Sequence, residues 1–235
     1  MRRLLAGMLA ASLCSGQALA QARDPVNPTC PAQPSWSDYP SMRFSVATMN
    51  GMRVLKGEGR IDASTPTNLQ AALDEHGDSV DEIWLRSPGG DARAGSQAGF
   101  IIRQSGLPTR IPGGWACFSA CNFMFMGGIG RFVDSGGVFM VHMFTHVGDG
   151  SATRQQVRQG GDTTVNIVGD IEQASALLAS EDNDFLIRMG ISRALLTDVM
   201  YQVRAVPSGG SRETRRCLTP EEMDRYHVRS GEYDG

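Results

Sequence analysis

The spacing of hydrophobic positions changes several times along the chain, and each change marks an element. Phe44 to Met49 and Met52 to Leu55 flank Asn50-Gly51, a dipeptide that accepts the positive φ values of a tight hairpin turn. Lys56 to Ile61 continues as an irregular strand. From Thr65-Pro66 the period becomes helical, with Leu69, Ala72 and Leu73 on one face. Glu82 to Arg86 returns to a short strand that stops at Ser87-Pro88-Gly89-Gly90. Asp91 is then a good N-cap for a helix in which Ala94, Ala98, Ile101 and Ile102 share a face.

The alternation repeats downstream. Thr109 to Ile111 reads as a strand, Gly113-Gly114 as a turn, and Ser119 to Met126 as a helix closed by Gly127-Gly128. That helix is apolar on all sides, which predicts burial. Val138 to Phe144 reads as a strand, followed by a polar loop, a long helix from about Thr164 to Met189, and a second helix opened by Ser192. Thr219-Pro220-Glu221-Glu222 is a capping box that starts a last short helix. Strands alternating with helices predict an α/β domain with a largely parallel sheet.

The ends of the chain read differently. Arg2 and Arg3 precede an apolar run, Leu4 to Leu13, too short to span a bilayer, and Ala18-Leu19-Ala20 has the form that signal peptidase accepts. A signal peptide over residues 1–20 is expected, cut after residue 20 or 22. Residues 21–41, with five prolines and no periodicity, form an extended arm; the folded domain runs over 42–230, and 231–235 is a tail. No later segment has the ~18 apolar residues of a membrane span. The net charge of −3 is spread over mixed signs, with no basic stripe for nucleic acid.

Export changes the reading of the cysteines. Cys30, Cys117, Cys121 and Cys217 remain after the signal, an even number that suggests two disulfides among three connectivities. A zinc site fits less well, because Cys117 and Cys121 have no second close pair and no matching His. No metal or cofactor is expected, and the location expected is periplasmic or secreted.

Three segments carry chemistry. Paired glycines at Gly89-Gly90 let the backbone approach a ligand and aim N–H groups at it. Cys117-Phe118-Ser119-Ala120-Cys121 sets a hydroxyl at the start of a buried helix, and Val141-His142-Met143 puts a His near the end of an apolar strand. Taken singly, Ser119 is an N-cap and His142 a core residue; together with the glycine pair they make a site.

With these segments in this order, the chain from roughly Gly57 to Val228 resembles the ClpP-type serine peptidases of the ClpP/crotonase superfamily, above all their periplasmic ClpP-like branch. The likeness rests on Ser-Pro-Gly-Gly-Asp at 87–91, the run from Ala94 to Arg103, Ser119 between its two cysteines, Gly127-Gly128, His142, and Leu218 to Glu222. It implies a spiral of ββα units, with Ser119 as nucleophile and His142 as general base. It also implies an oxyanion hole from Ala120 and the Gly89-Gly90 pair, an extended polypeptide substrate, and a homo-oligomer. The family's third triad residue, an Asp, finds Asp198 in its neighbourhood, although counting falls nearer Val203; Asp184 and Asp134 are the other candidates. A catalytically silent peptide-binding scaffold is the alternative function, and an acyl-CoA enzyme of crotonase type ranks behind it.

Overall fold

The computed structural model describes residues 22–143, 150–204 and 214–230. The expected signal peptide and the 231–235 tail lie outside these residues. Strands β1 (Arg43–Met49) and β2 (Met52–Glu58) form the expected hairpin, with Asn50 at φ 52° and Gly51 at φ 81° in its turn. Helix α1 (Thr65–His76) leads to β3 (Glu82–Arg86), and α2 (Ala92–Ser105) leads to β4 (Thr109–Ile111). Asp91 caps α2 as expected, its carboxylate accepting the Ala94 N–H at 2.8 Å.

Next come β5 (Ala116–Phe118), α3 (Ala120–Met126), β6 (Arg131–Val133) and β7 (Val138–His142). Every residue of α3 is buried, as its apolar composition predicts. Helix α4 (Gly150–Val157) occupies what reads in sequence as polar loop, and α5 (Gly161–Met189) is the long helix. The helix expected after Ser192 is two short irregular turns, Leu195–Val199 and Met200–Gln202. Strand β8 (Arg215–Cys217) and α6 (Pro220–Arg225) follow, α6 opening on the Thr219/Glu222 capping box.

The strands make two sheets, β1-β2-β3-β4-β6 and β5-β7-β8. Within the first, only the β1–β2 pairing is antiparallel; the crossovers carrying α1, α2 and α3 make the others parallel. In the second, β5 and β7 are parallel and β8 closes antiparallel against β7. The main core lies between these sheets and α1, α2, α3 and the end of α5, with Leu55, Ile83, Ile102, Met124, Phe139 and Phe185 sealed from solvent.

The arm is bound to the domain along its length. Disulfide Cys30–Cys217 fastens it to β8, and buried Asp24 pairs with Arg215 at 3.4 Å. Ser35 accepts the Ala116 N–H of β5 at 2.8 Å, and Trp36 stacks on Phe118 at 6.0 Å. The second disulfide, Cys117–Cys121, brackets Ser119. Of the three connectivities open in sequence, this is the one the fold adopts.

Candidate active site

The glycine-rich turn and the Ser119 turn are one piece of backbone hydrogen bonding. Ser87 donates its N–H to Ala116 and accepts the Phe118 N–H, both at 3.0 Å, so the end of β3 is zipped to β5. Gly89, at φ 84°, then passes against Ser119: a Cβ there would sit 2.4 Å from the Phe118 carbonyl oxygen and 2.8 Å from the Ser119 Cβ. No residue with a side chain fits.

Within the glycine pair the two N–H groups have different fates. Gly89 donates to the Ser87 hydroxyl at 3.0 Å. Ile61 holds the flanking backbone by donating to the Gly89 carbonyl and accepting the Asp91 N–H, and the Gly90 N–H enters none of these bonds. Ala120 is the first residue of α3, where a backbone N–H has no partner within its helix. Among the described residues, Gly90 and Ala120 therefore carry N–H groups outside these bonds beside Ser119, and Gly89 shapes the turn.

Ser119 is no ordinary cap. Its φ of 58° is rare for a residue with a side chain, and its hydroxyl makes no capping bond to α3. Instead Oγ lies 2.6 Å from His142 Nε2. The imidazole reaches it because β7 runs parallel beside β5, with Phe118 opposite Met140. Asn122 adds a second tie, donating Nδ2 to the Met140 carbonyl at 2.7 Å. The Phe118 ring packs on the imidazole, centroids 4.9 Å apart.

Burial holds the His142 pKa below its ordinary value, and a backbone hydrogen bond to Met143 opposes this in part. The neutral imidazole is thus favoured near neutral pH. In the tautomer that carries its proton on Nδ1, Nε2 accepts from the Ser119 hydroxyl.

The aspartates named from sequence stand elsewhere. Asp198 is exposed and accepts the Thr197 hydroxyl at 2.9 Å, so the structure does not bring it to His142. Asp184 pairs with Arg188 at 3.0 Å, and Asp134 pairs with Arg110 at the end of the larger sheet. Their charges are satisfied locally. Two side chains that sequence reading passed over do line the pocket beside Ser119 and His142, namely Asn122 and Asp182. A lone polar residue in the apolar run of α3 was the available signal for Asn122. Asp182 sits among other acidic residues of α5, and no sequence signal singled it out.

The two sheets and their crossover helices define the ClpP-like α/β fold. A solved structure of a ClpP1 point mutant from Listeria monocytogenes matches with a TM-score of 0.51 at 13% identity, covering 75% of this chain and 88% of that one. A point mutant of the 1510-N membrane-bound stomatin-specific protease matches with a TM-score of 0.42 at 16% identity, covering 75% of each chain. No family model matches the chain, and no curated protein matches it in sequence.

Proposed function

We propose that this protein is an exported serine peptidase acting on extended polypeptide. The observation that carries the reading is the 2.6 Å contact between Ser119 Oγ and a ring-fixed, largely neutral His142, at a turn where the hydroxyl caps nothing. His142 takes the Ser119 proton as Oγ attacks the scissile carbonyl, then returns it to the leaving amine. The oxyanion of the tetrahedral intermediate is received by the N–H groups of Gly90 and Ala120, each such donor contributing about 2.7–4 kcal/mol to the transition state. Water activated by His142 then hydrolyses the acyl-enzyme. The pair works as a dyad, with the Met143 backbone in the orienting place of an aspartate.

Two buried disulfides support a periplasmic or secreted location, since such bonds persist in oxidising compartments. Among the described residues no helix is long and apolar enough to cross a membrane. Peptide or unfolded polypeptide is the partner proposed, with assembly into a homo-oligomer.

Labelling with a fluorophosphonate tests the reading. Wild type should be modified at Ser119, Ser119→Ala should not be modified, and His142→Ala should react at least about 100-fold more slowly. Folded wild type that stays unlabelled would leave a peptide-binding scaffold in place of the peptidase.

A further inference from the structure

The pocket beside Ser119 and His142 has about 50 Å³ of water-accessible space. At roughly 10–15 Å³ per water-sized group, that admits a line of about three to five heavy atoms. Its walls are mostly apolar, formed by Phe123, Met126, Val141, Leu186, Leu196 and Met200 among others. Beyond the catalytic pair, two polar side chains interrupt them, Asn122 and Asp182. Asn122 is 5% exposed, and donation of Nδ2 to Met140 sets its amide orientation. Its Oδ1 is left with no hydrogen-bond partner.

Asp182 is the other. It projects from α5 and also borders a second, more polar pocket lined by Arg93, Ser96 and Gln97. Burial, and secondarily repulsion from Glu181, push its carboxyl up to about 7, and no cation or hydrogen bond counters them. The charged and titratable groups around it are Glu181 and Asp184 on α5, Tyr201 from the following turn, Arg93 on α2, and His142. Among the described residues none of them makes an ion pair with it. A carboxyl held this far above its ordinary range ionises fully only beside a cation, which none of the described residues supplies.

We propose that this pocket seats a lysine side chain of the substrate, with Asp182 as its counter-ion. The proposal rests on the peptidase reading of the same pocket and adds the substrate class. A basic side chain has an apolar stem to fill the slot and a head made only of donors. An aliphatic side chain fills the stem but leaves Asp182 unpaired, and an acidic one is repelled. Asp182 is thus a specificity-determining residue that takes no part in bond making.

Binding to Ser119→Ala, which cannot turn substrate over, is the test. Acetylated tripeptide amides identical except for a C-terminal Lys, norleucine or Glu are titrated at pH 8. The Lys peptide should bind about tenfold or more tighter than the norleucine peptide, and the Glu peptide weakest. Adding the isosteric Asp182→Asn should bring Lys and norleucine within about twofold. In the Ser119→Ala protein the Lys preference should shrink towards pH 6 as the carboxyl takes up its proton. Equal binding of the Lys and norleucine peptides, no binding of any peptide to folded protein, or a preference that survives Asp182→Asn overturns the proposal. Because no turnover is needed, these outcomes are separate from the labelling result, which alone decides the peptidase reading.

Discussion

Replacing Gly89 by Ala tests whether the glycine turn and the nucleophile turn work as one unit. The added Cβ would meet the Phe118 carbonyl oxygen at 2.4 Å where ordinary contact begins at 3.4 Å, so the two segments must part by about 1 Å. A displacement of that size at a reacting group costs on the order of 100-fold in rate. Stability suffers twice, through roughly 1–2 kcal/mol for a side chain at positive φ and roughly 1–3 kcal/mol for overpacking. Gly51→Ala is the matched control: its φ of 81° is nearly that of Gly89 at 84°, yet nothing lies within 4 Å of its added Cβ. It should carry the backbone penalty alone, a fall in Tm of roughly 2–4 °C per kcal/mol, with unchanged activity. Thermal unfolding and turnover of a fluorogenic peptide read the two variants side by side. If Gly89→Ala matched Gly51→Ala in both Tm and turnover, the coupling argued from this geometry would be wrong.

Two further outcomes follow from the same structure. Because burial lowers the His142 pKa, the acid limb of kcat/KM should have its midpoint below the ordinary value of about 6.5, and a midpoint above 7 would contradict it. The sign for stability agrees: the unfolded chain holds the proton more readily, so this contribution is present above about pH 6.5 and declines as pH falls further, as urea unfolding across pH would register. The disulfides should differ widely, because Cys30–Cys217 closes a separation of 187 residues and Cys117–Cys121 one of 4. Chain entropy then gives about 5 kcal/mol against about 2 kcal/mol, so paired Ser substitutions at 30 and 217 should lower unfolding free energy more than those at 117 and 121; equal losses would refute the entropic account.

Where local chemistry decides structure, the sequence was readable. Asn50-Gly51 set its hairpin, Asp91 and Thr219 capped their helices, and Ser119 and His142, read together with Gly89-Gly90 and the family resemblance, stand 2.6 Å apart. The strands that escaped notice, β5, β6 and β8, are three residues each and too short to show a period. They exist because neighbours offer hydrogen bonds, as Ser87 does for β5. The division of labour between Gly89 and Gly90 depends on where the Ser87 hydroxyl points, which residue order cannot encode. Asp182 was hidden for a similar reason: only packing of α5 against the pocket distinguishes it from its acidic neighbours. Position along the chain says nothing about which way the turn after α5 faces, and Asp198 stands exposed there beside Thr197.

The bond between Cys30 and Cys217 ties the site to the order in which the chain is made. Strand β7, which carries His142, gains its outer neighbour only when β8 exists. A chain emerging N-terminus first therefore exposes Ser119 and His142 long before it holds the strand and the cysteine that close their sheet around the arm. The small sheet can close around Ser119 and His142 only after β8 has been made.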